Sequence, residues 1–136
     1  MTWYREIEVL QEPFDLSPDG TGRAKVAFNI SVVKRYSNTF LEEITKILMD
    51  ASVGVANSNI FTTSMKDIPD GDGPYLSIVE TGGTFPERTH NSVSVPAYLR
   101  PTAQIVVRAG TYSAARTMAR AAYNALAAVR NSNIVP

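Results

Sequence analysis

Apolar residues alternate with polar ones along several stretches of this chain, and switch to helical spacing in two others. The clearest alternation spans residues 24–34, with Ala24, Val26, Phe28, Ile30 and Val32 on one side and Lys25, Asn29 and Ser31 among those opposite. A period of two marks a half-buried strand. Residues 3–11 predict another, with Ile7 and Val9 facing away from Glu6 and Glu8. Between them, residues 13–22 carry turn chemistry in Ser17-Pro-Asp-Gly20, so the two strands are expected to pair as an antiparallel hairpin. Residues 59–64 suit a short strand, and residues 75–81 and 103–108 are β-type runs.

Helical spacing begins at Phe40 and continues through Ile44, Ile47, Leu48 and Ala51, which predicts an amphipathic helix over 40–52. Thr39-Phe-Leu-Glu42 has the pattern of a capping box, Glu42 and Lys46 suit an i, i+4 pair, and Gly54 suits a stop. A second helix is expected over 112–130. Ala115, Met118, Ala119, Ala122, Leu126 and Val129 form its apolar stripe, with Arg116 and Arg120 on another face. Its alanines allow a close approach to a sheet or helix. Asp67 to Pro74 is too rich in proline, glycine and aspartate for regular structure, and residues 131–136 have little to order them. These elements predict an α+β fold: a twisted antiparallel sheet of four to five strands with two helices packed on one face, as one domain over 1–136.

Composition narrows the function classes. At 136 residues the chain is long enough to bury a core unaided. It has no cysteine, which excludes disulfides and thiolate chemistry. No apolar run approaches a membrane span and the first residues carry no apolar signal core, so a soluble protein assembled in a cytosol is expected. The net charge is zero but unevenly placed. Residues 1–87 hold all thirteen acidic groups and seven basic ones, whereas residues 88–136 hold six arginines and no acid. Such asymmetry suits self-association or an anionic partner.

Catalytic signals are weak. His90 is the single histidine, with Glu80, Glu87, Arg88 and Thr89 near it in sequence, but no nucleophile motif accompanies it. Counting from Asp70, a calcium loop would need ligands where Pro74 and Thr81 stand. Gly71, Gly73, Gly82 and Gly83 lack the strand–glycine–helix context of a nucleotide site. No enzyme activity, cofactor or metal is expected. The stretch Thr81-Gly-Gly-Thr-Phe-Pro-Glu-Arg-Thr-His-Asn91 reads as a long polar loop between strands, too long for a plain hairpin, and so points to docking.

Several segments resemble the tailed-bacteriophage minor capsid and tail-terminator-like proteins of the lambda type. They are Thr39-Phe-Leu-Glu-Glu-Ile44, Glu80-Thr-Gly-Gly83, Pro86-Glu-Arg-Thr89, Tyr98-Leu-Arg-Pro-Thr-Ala-Gln-Ile-Val-Val-Arg108, Tyr112-Ser-Ala-Ala-Arg116 and Tyr123-Asn-Ala-Leu126. The resemblance covers most of the chain, in a different order. Residues 1–36 resemble the family's C-terminal segment and residues 37–136 its N-terminal part, as in a circular permutation. A permuted chain requires its two ends to lie close together.

The resemblance implies a virion protein, assembled in the bacterial cytoplasm, that acts as a tail terminator or head–tail completion protein. Its partners would be further copies of itself in a hexameric ring, the tail-tube proteins and the head–tail connector, with no membrane partner. The contact residues expected are Phe85, Pro86, Glu87, Arg88, Thr89 and His90 in the long loop, Tyr98 and Arg100 at its exit, and Arg116 and Arg120 on the second helix. Exposed aromatics beside arginine are common interface anchors. The alternative is a nucleic-acid-binding module using the arginine-rich 88–130 half.

Overall fold

The computed structural model describes residues 2–16, 22–35, 37, 39–63, 68–69, 71–87 and 98–134, except for the side chains of Thr2, residues 84–87 and Tyr98. The elements in order are β1 (Thr2–Val9), β2 (Phe14–Leu16), β3 (Ala24–Lys34), α1 (Phe40–Asp50), β4 (Ile60–Phe61), β5 (Tyr75–Glu87), β6 (Tyr98–Ala109), α2 (Tyr112–Ala127) and β7 (Arg130–Ile134). The fold is mixed α+β. Seven strands form one curled sheet in the order β4-β5-β6-β3-β1-β7, with β2 also paired to β3. The strand count is therefore seven among the described residues, not four or five. The sheet is antiparallel except at its edge, where β4 runs parallel to β5.

β3 is the central strand because its strict alternation lets it pair along both edges. On one side it meets β6 from Ala24↔Ala109 to Lys34↔Leu99. On the other, β1 and β2 lie end to end, β1 against Ile30 to Lys34 and β2 against Lys25 to Ala27. Where they break, the Leu10 N–H donates to the Asn29 carbonyl at 2.9 Å and the Gln11 side-chain oxygen accepts from the Asn29 N–H at 3.1 Å. The expected turn region thus contains a short strand, and Gln11 supplies a ladder bond that backbone cannot.

One core gathers Val26, Phe28, Ile30 and Val32 of β3, Ala103, Ile105, Val107 and Ala109 of β6, and Leu76 and Ile78 of β5. These alternate positions meet Phe40, Ile44 and Leu48 of α1 and Ala115, Ala119, Ala122 and Leu126 of α2. The helix α2 crosses β6, β3 and β1, and its Ala115, Ala119 and Ala122 are fully buried there, since only a small side chain lets helix and sheet backbones come that close. Thr111 caps it by accepting from the Ala114 N–H at 3.2 Å. The helix α1 touches α2, β5 and β7. A bulge at Arg5, between the pairs Tyr4↔Lys34 and Glu6↔Val33, turns Tyr4 onto the same side as Ile7. Without that extra residue, Tyr4 and Ile7 would face opposite ways.

Three expectations need correction. The segment from Thr81 is strand as far as Glu87, and the facing strand starts at Tyr98 instead of Ala103, so most of the expected loop is a long hairpin. Gly82-Gly83, expected in the loop, and Pro101, just before the expected 103–108 run, sit in a bulged ladder, with register shifts between Glu80 and Gly82 and between Thr84 and Glu87. The tail is also ordered. α2 stops at Ala127, and Arg130 to Ile134 pairs with β1 as β7, with Asn131 at φ +46. Backbone pairing supplies the order that the side chains of residues 131–133 do not. Finally, Thr39 makes no side-chain cap, and Lys46 pairs with Asp50 at 3.0 Å.

Gly83, at φ +140, sits where a Cβ would strike the Arg100 carbonyl, whereas a Cβ on Gly82, at φ +105, would meet nothing within 4 Å. Gly83→Ala is expected to destabilise by roughly 1–3 kcal/mol in urea unfolding, and by more than Gly82→Ala. Equal losses would mean that the close approach at Gly83 does not shape the hairpin.

Candidate docking hairpin and the polar cluster at its base

The β5–β6 hairpin is the longest ladder at the edge of the sheet. β4 covers only Leu76 and Ser77 on its outer side, and from Ile78 onward no described strand pairs with that edge. Residues 80–83 are exposed. A bare strand edge is a template for further pairing or docking. Of the expected contact residues, Phe85, Pro86 and Glu87 fall in the last part of β5, and Glu87 pairs with Tyr98 across the ladder. Arg88, Thr89 and His90 lie outside the described residues. Arg100 stands half-buried opposite Thr84.

The helix arginines are elsewhere. Arg116 donates to the Pro13 carbonyl at 3.0 Å and lies over the Tyr112 ring. Arg120 forms an ion pair with Glu12 and lies over the Tyr123 ring, 4.6 Å from its centroid. Both therefore clamp the break between β1 and β2 onto α2, away from the hairpin. Arg108 is buried and donates to the Pro69 carbonyl at 2.6 Å, while Arg130 donates to the Ile7, Ala127 and Val129 carbonyls. Arg100 is not free either, so at least five of the six arginines in the acid-free half have partners.

The chemistry-bearing cluster that the pattern reading missed lies at the base of the hairpin. Lys34 ends β3 in an alternation that places it with Ile30 and Val32, and Glu43 falls one turn after Phe40 on the buried side of α1. Both side chains are fully buried. The Glu43 carboxylate accepts from the Tyr4 hydroxyl at 2.8 Å, the Ser37 hydroxyl at 2.9 Å and the Thr39 hydroxyl at 2.9 Å, and the Lys34 ammonium lies 3.4 Å away. Lys34 also donates to Ser37 at 2.7 Å and to the Arg35 carbonyl at 3.2 Å. The demand of this carboxylate draws the Thr39 hydroxyl away from the cap role. A charged residue on an apolar stripe is the sign from which the cluster was legible.

Burial, reinforced by the Glu43 carboxylate, pushes the Tyr4 phenol far above its ordinary value of 10.0. Burial pulls the Lys34 ammonium below its ordinary 10.5, and the attraction of Glu43 offsets only part of that.

Beside the cluster runs a cleft of about 380 Å³. Its apolar walls are Phe40 and Leu41 of α1 and Leu99 and Pro101 of β6, Lys34 and Ser37 reach it from within, and Glu42 and Glu80 stand at its sides. Among the described residues no group of three or more His, Asp or Glu side chains is arranged to hold a metal ion, and no helix is long and apolar enough to cross a membrane. No protein-family model, curated protein or solved structure matches the chain.

Two outcomes are expected. Glu43→Gln strands the buried Lys34 ammonium and should lower stability by about 3–5 kcal/mol in urea unfolding, whereas a loss below 1 kcal/mol would show that the cluster is not a structural tie. The second concerns pH. Above about pH 10 the unfolded chain loses the Tyr4 proton that the folded chain keeps, so the Tyr4 contribution falls as pH rises. Lys34 acts in the opposite sense, its penalty fading toward 10.5. Comparing wild type with Tyr4→Phe at each pH isolates the first term. The stability advantage of wild type should shrink between about pH 9 and about pH 11, and a constant gap would contradict the assignment.

Proposed function

We propose that this protein is a virion structural component of a tailed phage, of the tail-terminator or head–tail completion type, which works by assembling into a ring and docking. The observation that carries the reading is the β5–β6 hairpin, thirteen residues long on one side, with no strand paired to its outer edge beyond Ser77 among the described residues. A heterologous contact, made by two different patches on successive copies, closes into a ring when the rotation between copies allows it. The hairpin on one side of the domain and other surfaces of the next copy are suited to such a contact.

Three features support the reading. The strand residues that enter the core come from one alternation and meet both helices, which fits two helices lying on one face of the sheet. Thr2 and Ile134 are cross-strand partners at adjoining ends of β1 and β7, as the permuted order of the tail-terminator-like segments requires. The uneven charge, with all thirteen acidic groups in residues 1–87 and none in residues 88–136, suits a surface that meets further copies of the chain. The nucleic-acid reading needs an open basic face, and the internal bonds of Arg108, Arg116, Arg120 and Arg130 lend it no support.

Sedimentation equilibrium tests the proposal. A discrete species near six times 14.8 kDa is expected, and a strict monomer at the highest attainable concentration would contradict it. A chain in which Pro136 is joined through a short linker to Met1 and reopened between Ser37 and Thr39 should still fold cooperatively, because the joined ends leave adjacent antiparallel strands. Failure to fold would count against the permuted order. A cooperative but weaker fold is expected, since the new ends adjoin the Glu43 cluster.

A further inference from the structure

We infer that the outer edge of β5 at Ile78 and Glu80 pairs with the outer edge of β7 from a second copy of this chain, so that the sheet continues from one copy to the next. The inference rests on the ring reading and names the two patches that meet. The first argument is the backbone. Leu76 donates its N–H to the Asn59 carbonyl at 2.7 Å, on the side of β5 away from β6. Alternate residues of a strand turn their backbone groups to the same side, so the N–H and C=O of Ile78 and Glu80 face outward too, and no described strand meets them there. β7 is the last strand at the other end of the sheet. The Trp3 carbonyl accepts from the Arg35 N–H at 2.8 Å, on the β3 side of β1, so Trp3 and its partner Asn133 exchange no hydrogen bonds. The N–H and C=O of Asn133 therefore face away from β1, where no described strand pairs with them. Edges of this kind are templates for strand addition.

The second argument is charge. Glu80 is exposed and forms no salt bridge among the described residues, and Lys34, which attracts it at longer range, is already matched by Glu43. Arg100 is not part of this edge, since it stands on β6 opposite Thr84 and is already engaged. At the other edge Arg130 is exposed, and its hydrogen bonds to the Ile7, Ala127 and Val129 carbonyls all come from Nη1. Glu6 is its partner across the ladder, but no salt bridge joins them among the described residues. The Nε and Nη2 donors of Arg130 thus remain for a carboxylate. Opposite charges across a strand pair favour it, and like charges oppose it. Within one copy β6, β3 and β1 lie between the two edges, which do not pair with each other. Between copies the contact joins two different edges, so it repeats with one sense, as a closed ring requires.

Two variants, one on each edge, test this. Glu80→Arg reverses the charge on β5, and Asn133→Pro removes from β7 an N–H that bonds no strand of its own copy. Neither change removes a ladder bond of the domain, so circular dichroism melts should show both chains folded. Each is expected to raise the dissociation constant for assembly at least about tenfold in sedimentation equilibrium. Should either fail to fold, Glu80→Pro, which removes an outward donor from β5, takes its place. A folded variant that assembles like wild type would overturn the edge contact while leaving the ring standing. A wild-type chain that stays monomeric at every concentration would overturn the ring, and the edge contact with it.

Discussion

The Glu43 carboxylate is the point on which the rest of the structure hangs. It is buried at the meeting of three elements, and a buried charge is tolerated only when its oxygens are satisfied and a counter-charge is close. Tyr4 from β1, Lys34 from β3, and Ser37 and Thr39 from the connection to α1 meet that demand together. Each of these placements has a structural consequence. The bulge at Arg5 turns Tyr4 inward, β3 must continue to Lys34 and thereby pair with Leu99, and α1 must start at Phe40. A single carboxylate thus fixes the register of the central strand against the hairpin, and with it the shape of the cleft beside them.

The hydrophobic core and this cluster do different work. The aliphatic residues of β3, β5 and β6 with the alanines of α2 supply most of the favourable burial, and burial of that kind is non-directional. It tolerates small shifts in how helix and sheet meet. A hydrogen-bonded carboxylate does not, because a displacement of an ångström leaves a charge unsatisfied. The arginines play a similar part at the surface. Arg116 and Arg120 tie the β1–β2 break to α2, and Arg130 binds three carbonyls where α2 turns into β7. Their chemistry suits this, since a guanidinium offers five donors in a fixed fork. The charge imbalance along the sequence is therefore partly spent inside the domain.

Much of the fold was legible. The alternation of β3 and the helical spacing of α1 and α2 announced both element type and buried side, because period two and period 3.6 follow directly from backbone geometry. What escaped the pattern was structure set by the backbone or by partners distant in sequence. Gly82-Gly83 and Pro101 looked like loop residues, but a bulged edge ladder accommodates both. Residues 130–134 carry no apolar alternation, and they form a strand because β1 offers an open edge. Thr39 and Glu42 read as a capping box and Lys34 is not singled out, although a lysine at an apolar position and a glutamate one helical turn from Phe40 are the marks of a buried pair. As to the candidate site, the hairpin itself was anticipated as a loop, while the cleft required Glu80, Leu99 and Phe40 to be brought together by three elements.

Above all, the fold depends on the buried Glu43 carboxylate tying β1, β3 and α1 together. A double-mutant cycle of Glu43→Gln and Lys34→Met in urea unfolding tests this most directly. A coupling of about 2 kcal/mol is predicted between the two positions, because each single change strands the other's buried charge. Losses that simply add would contradict the account.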